Sequence, residues 1–142
     1  MTFADMDALK QQLKEHEGLR LKPYTDTTGH LTIGVGRNLT DVGITEDEAM
    51  EMLEHDIAIA VGALSTKLPW FLDLDDVRQR VLIDMAFNMG IDMLLTFHRF
   101  LAAARIGDWD EAANEMMASR WAMQVRDRAT RLIRMMRTGE TE

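Results

Sequence analysis

Only one stretch of this chain alternates with the two-residue period of a β-strand. Leu31, Ile33 and Val35 stand at every second position, interleaved with His30, Thr32 and Gly34. Elsewhere apolar residues recur at three- and four-residue spacing, the period of helices lying on a core. Any sheet is therefore small, and the predicted fold class is α+β, mainly helical with a small β-hairpin. Alternation puts Leu31, Ile33 and Val35 on one face, expected to be buried, and leaves Thr32 facing open space on the other. A length of 142 residues suits one domain with a sizeable core.

The rest of the chain is punctuated by helix signals. Met6, Leu9 and Leu13 give a first helix, about Ala4 to His16, an apolar stripe expected to lie on a core, and Gly18 stops it. Pro23 and Asp26-Thr27-Thr28-Gly29 are turn signals that frame the hairpin. Thr45-Glu46-Asp47-Glu48 has the spacing of a capping box and opens a long helix to about Thr66, closed by Pro69. Further helices are predicted from about Asp75 to Met89, from about Met93 to Arg105, and after the cap Asp108. A last arginine-rich helix runs to about Arg137. Met50, Met52, Met116, Met117, Met135 and Met136, among twelve methionines, read as core filler rather than as a binding groove.

Composition removes several classes of function. Apolar residues at 46% and charged residues at 28% exclude wholesale disorder. No apolar run approaches the roughly 18 residues of a membrane span, and Met1 to Ala8 lacks a cationic start and an apolar signal core. Synthesis in the cytoplasm is the expectation. With no cysteine, and with His16, His30, His55 and His98 scattered, neither a metal site nor a cofactor is expected. A net charge of −8 argues against nucleic acid as a partner. Basic residues gather late: Arg120, Arg126, Arg128, Arg131, Arg134 and Arg137 face a single acid, Asp127, in that segment. That face has two readings, a solvated helix surface or a contact for an anionic polymer or membrane.

Chemistry concentrates between residues 17 and 32. Glu17 ends the first helix, where unpaired carbonyls and the negative end of the macrodipole favour a carboxyl that keeps its proton, as a general acid requires. Singly, Glu17 is a surface glutamate, Asp26 a turn residue and Thr32 a strand residue. Together, an acid, a second carboxylate and a hydroxyl on one helix–hairpin unit are the parts for hydrolysing a glycosidic bond. The run from His16-Glu17-Gly18 to Gly34-Val35-Gly36, with the spacing Glu17-x8-Asp26-x5-Thr32, closely resembles the T-even phage lysozyme family of muramidases. Further matches follow at Gly43-Ile44-Thr45-Glu46-Asp47-Glu48-Ala49, Ala86-Phe87-Asn88-Met89-Gly90, Trp109-Asp110-Glu111-Ala112-Ala113, Ser119-Arg120-Trp121 and Arg137-Thr138-Gly139.

The resemblance implies a single lysozyme-like domain over residues 1–142. Its parts would be a hairpin lobe over about 17–44, a connecting helix over about 45–66, and a helical lobe of about 67–142 plus the N-terminal helix, with a cleft between the lobes. It implies cleavage of the β-1,4 bond between N-acetylmuramic acid and N-acetylglucosamine in peptidoglycan, with Glu17 as general acid, Asp26 activating water and Thr32 holding that water. Inversion would follow, which asks for carboxyl groups roughly 6.5–9.5 Å apart. For substrate binding, Phe87 and Asn88 match the family's cleft-floor segment and Asn38 and Phe100 fall where the family contacts saccharide, and Arg128 aligns with an arginine that pairs with the catalytic glutamate. The implied protein is a monomeric endolysin of the host cytoplasm that reaches the wall through a holin-type pore. The alternative is membrane disruption by the arginine-rich segment after Ser119. Departures are His16 in place of a family acid, Arg37 in place of a family histidine, so that a familiar histidine–aspartate pair is not expected, a short Asp41-Val42-Gly43 connection, and an acidic pI near 5.0.

Overall fold

Thr2 begins the first helix of the computed structural model by accepting a hydrogen bond from the Asp5 N–H, so one of the four unpaired donors of a helix start is satisfied. Residues 1–141 are described. They divide into two units, Met1–Met52 and Leu53 onwards, and a mainly helical α+β chain with a three-stranded antiparallel sheet results. Helix α1 (Phe3–Glu17) contains no buried residue, and Met6 and Leu13 are exposed. The apolar stripe is present, but periodicity defines a face and does not supply its cover.

Three strands follow: β1 (Arg20–Thr25), β2 (Leu31–Gly34) and β3 (Arg37–Asn38), in the order β1-β2-β3. Pro23 cannot donate to the ladder, and the β1–β2 register is irregular between Arg20 and Tyr24. The burial expected for β2 is not observed: Ile33 is half-buried, as His30 and Gly34 are, and Val35 lies beyond the strand. Thr32 is buried at 3% exposure, whereas Leu31 and Val35 are 45% and 41% exposed. Thr32 sits on the central strand with Tyr24 opposite it on β1 and Asn38 opposite it on β3, so same-face neighbours cover it from both sides. Its hydroxyl donates to the His30 carbonyl at 3.0 Å, which satisfies the buried oxygen.

The capping box forms as the spacing predicts: the Glu48 N–H donates to Thr45 Oγ1 and the Thr45 N–H to Glu48 Oε1. It opens α2 (Glu46–Lys67), along which the chain passes from the first unit into the second. Arg37 grips the same glutamate with two parallel hydrogen bonds of 2.9 Å and donates to the Gly43 carbonyl. The residue that departs from the family pattern thus ties β3 to the start of α2 by a bidentate fork.

The second unit is built from a 3-10 turn (Pro69–Asp73), α3 (Asp76–Met89), α4 (Ile91–Leu94), α5 (His98–Ile106), α6 (Trp109–Met117), α7 (Arg120–Val125) and α8 (Asp127–Thr138). Two predicted helices are each split. The segment from Met93 breaks at Leu95–Phe97, where the Thr96 hydroxyl donates to the Met93 carbonyl at 2.6 Å and tight turns replace helical bonds. The arginine-rich segment breaks at Arg126, whose φ of 40° and ψ of −100° leave the helical region. Each half then faces the core separately, through Trp121 on α7 and through Ala129, Leu132 and Met136 on α8.

Around Leu64, Phe71, Leu82, Met85, Leu94, Phe100 and Met116 the core is close-packed. Of the methionines expected inside, Met116 and Met136 are buried and Met50, Met52 and Met117 are exposed. Adjacent helical residues lie about 100° apart around the axis, so Met116 and Met117 cannot share one face. Arg78, 9% exposed, joins three helices: its Nε donates to the Met136 carbonyl at 2.7 Å, Nη2 to the Arg137 carbonyl, and Nη1 to Asp75, while the guanidinium lies 3.9 Å from the Trp109 ring centre. A cation on the last carbonyls of α8 complements that helix end. Among the described residues no helix is long and apolar enough to cross a membrane.

Two stability outcomes follow. Arg78→Met should lose about 2–4 kcal/mol in denaturant unfolding, because it leaves carbonyls of α8 without their donor and takes the guanidinium away from Trp109, while Asp75 keeps the backbone N–H of residue 78. Glu48, through its hydrogen bonds to Arg37, is held at about 2 against an ordinary 4.5. A lowered carboxyl contributes stability above the unfolded value and loses it as pH falls toward the folded one. The difference in Tm between wild type and Glu48→Gln should therefore be full above about pH 5 and close as pH falls through about 4.5 to 2.

Candidate active site

Asp26 occupies the turn between β1 and β2, where an aspartate can bond the backbone two and four residues ahead. Its Oδ1 accepts the Thr28 N–H at 2.9 Å, the Thr28 hydroxyl at 2.8 Å and the His30 N–H at 2.9 Å. These donors, the His30 N–H first, hold the Asp26 carboxyl below its ordinary 3.8. Among the described residues no hydrogen bond is made to Oδ2. The result is an ionised carboxylate with one oxygen anchored and one open, the form a base for water needs.

Glu17 is the last residue of α1 and is exposed. Its carboxyl lies over Gly36 in the β2–β3 turn, so closely that a Cβ there would be 2.9 Å from Glu17 Oε2, and Gly36 has a φ of 67°. Backbone conformation and close approach both call for glycine at that position. Thr32 spends its hydrogen on the His30 carbonyl and keeps lone pairs to offer. Asn38 is turned to its own loop, donating to Asp41 at 3.1 Å and accepting the Asp41 N–H at 3.0 Å. Glu17, Asp26, Thr32 and Asn38 all belong to the first unit.

The second unit carries the remaining residues. Phe87, near the end of α3, is 42% exposed and so is not a core aromatic. Asn88 beside it accepts from the Trp121 indole N–H at 2.7 Å, which fixes the amide's direction. Both Asn88 and Trp121 line an open groove of about 960 Å³ with Phe97, Gln124 and Phe100. Phe100 is only 1% exposed and chiefly fills the core. Arg128 is paired with Asp84 of α3 at 2.7 Å. Arg137 of the same helix is held by Asp110 and Asn114, so part of the cationic face is committed to this protein's own side chains. Among the described residues no group of three or more potential ligands is placed to hold a metal ion.

Sequence reasoning passed over Thr28, Asp41, Gly36 and Trp121. An aspartate followed two residues later by threonine in a turn was the available signal for Thr28, while the other three depend on neighbours distant in sequence.

Comparison with known proteins identifies the family. Residues 14–137 match the family model for phage lysozyme. The chain is 29% identical to probable T4-type lysozyme 1 of Dictyostelium discoideum, over 94% of this chain and 96% of that protein. It is 32% identical to an endolysin of Acyrthosiphon pisum secondary endosymbiont phage 1, over 74% of this chain and 72% of the endolysin. A 30% match to the pre-baseplate central spike protein Gp5 of Enterobacteria phage T4 spans 95% of this chain but 28% of that longer protein.

The role of Gly36 can be isolated by pairing it with Gly34, which has a similar φ of 69° but where an added Cβ would meet no atom within 4 Å. Alanine at either site should cost about 1–2 kcal/mol for left-handed backbone. Only Gly36→Ala displaces Glu17, so it alone should lose cell-wall hydrolysis beyond what its Tm accounts for. Equal losses in the two variants would mean that Glu17 does not depend on Gly36.

Proposed function

We propose a division of labour for this chain, which belongs to the phage lysozyme family and is a peptidoglycan-cleaving hydrolase: Glu17 gives the proton and Asp26 activates the water. Protonated Glu17 donates to the leaving glycosidic oxygen as the bond to the anomeric carbon breaks. Asp26 Oδ2 accepts a proton from the attacking water, and that water's oxygen bonds to the same carbon. Thr32 holds the water by accepting its other hydrogen, since its own is given to the His30 carbonyl. Attack from the face opposite the leaving group inverts the anomeric centre, so a β-1,4 bond yields an α-configured product.

The observation that carries this reading is the unequal treatment of the two Asp26 oxygens, one saturated by three donors and one open, in a carboxyl held below its ordinary value. A carboxylate so fixed is a base for water and a poor proton donor, which leaves Glu17 as the acid. Substrate-binding roles are proposed for Phe87 and Asn88 at the end of α3, the first by its exposed ring and the second by an amide held in place by Trp121.

Release of reducing ends from purified peptidoglycan tests the assignment. Glu17→Gln and Asp26→Asn should each lose about 10²–10⁴-fold in rate with Tm little changed. Retained cleavage in either variant would remove that residue from the mechanism, and a β-configured product in the proton NMR spectrum of a fresh digest would replace inversion by retention.

A further inference from the structure

His30 is wired on both sides of its ring. Nδ1 lies 2.6 Å from the Thr28 hydroxyl, which is itself 2.8 Å from Asp26 Oδ1. Nε2 lies 3.2 Å from Asp41 Oδ2, and Asp41 is steadied by Asn38. The charged groups facing the ring are Asp26 of its own turn, at 3.8 Å, and Asp41 of the β3–α2 loop.

Counting hydrogens makes this arrangement informative. The Thr28 hydroxyl has one hydrogen, and an ionised carboxylate has none. If Thr28 donates to Asp26, the Nδ1 contact is a hydrogen bond only when Nδ1 carries a hydrogen. Likewise the Asp41 contact is one only when Nε2 carries a hydrogen. The imidazolium satisfies all three contacts together. A neutral ring has a single hydrogen, and Asp41 favours its placement on Nε2, since a bare Nε2 would turn its lone pair toward a carboxylate. Nδ1 is then an acceptor, and the hydrogen it draws is the one Thr28 had given to Asp26.

We propose that His30 is a positioning residue whose protonation state sets the direction of the Thr28 hydroxyl, toward Asp26 when the ring is charged and toward His30 when it is neutral. Charged, His30 leaves Asp26 Oδ1 with three donors and a nearby cation. Neutral, it leaves two backbone donors and no cation. A carboxylate with fewer donors is the stronger base, so the water-activating step is faster with His30 neutral. The side chain of histidine is the one that ordinarily changes charge between pH 5 and 8, so the control is read as a pH dependence.

The inference rests on Asp26 as the base, and its tests are separable from that reading. In the pH profile of kcat, wild type should show a step of about three- to tenfold between pH 5 and 8. Thr28→Ser, which keeps a hydroxyl, should retain the step, and Thr28→Val and His30→Gln should lose it. A merely structural role would lower the rate evenly across pH. Nitrogen-15 NMR of the resting protein reads the ring directly, and the neutral form should carry its hydrogen on Nε2. A step unchanged in Thr28→Val, or a neutral ring protonated on Nδ1, would overturn the proposal. Full activity in Asp26→Asn would instead overturn the assignment of the base, and the ring spectrum of the wild-type protein would still decide the arrangement of hydrogens on His30.

Discussion

The fork between Arg37 and Glu48 is the interaction on which the first unit turns. A two-residue strand such as β3 has too few ladder bonds to hold itself, and the connection after it is short. Arg37 compensates with two bonds to Glu48 and one to the Gly43 carbonyl, closing the loop that contains Asp41. Glu48 in turn caps α2, so one carboxylate fixes both a strand and a helix start. Because the loop is closed, Asp41 meets His30; because His30 is met, the Thr28–Asp26 end of the network has a defined partner. The pair is only partly exposed, and its bidentate geometry makes it more than an incidental surface contact.

The second unit is organised by a buried charge in a similar way. Burying a guanidinium is costly unless its donors are used, and Arg78 uses them on two carbonyls of α8, on Asp75 and against the face of Trp109. The helix ends that would otherwise leave carbonyls unpaired become the ligands of a cation. Gly139 beside α8 follows from this: a Cβ there would come within 2.9 Å of Arg78 Nη1. On the opposite end of α3, Asn88 is oriented by Trp121, so the same helix carries a structural anchor at its start and exposed side chains at its close.

Much of this was legible along the chain. Capping signals at Thr45 and Asp108 and the stop at Gly18 act within a few residues, and local hydrogen bonding decides them. The turn that presents Asp26 is legible for the same reason, since its donors, Thr28 and His30, are two and four residues away. Arg126 is the counter-example: nothing in its type announces a φ of 40°, and the break arises because α7 and α8 each have a buried face to satisfy. Arg128 paired with Asp84, forty-four residues away, is equally invisible to a local pattern.

By itself the sequence determined the succession of a first helix, a hairpin and a long helix, the caps at Thr45 and Asp108, and the carboxyl and hydroxyl groups carried by one helix–hairpin unit, because each of these depends on spacing of a few residues. Tertiary structure alone decided which face of β2 is covered, which of two adjacent methionines is buried, and which oxygen of Asp26 is left open. Periodicity states which side chains share a face, whereas burial and hydrogen-bond partnership depend on the neighbours that arrive from elsewhere in the chain. Thr32 makes the distinction plain: its place on the strand follows from alternation, and its burial follows from Tyr24 and Asn38 standing beside it.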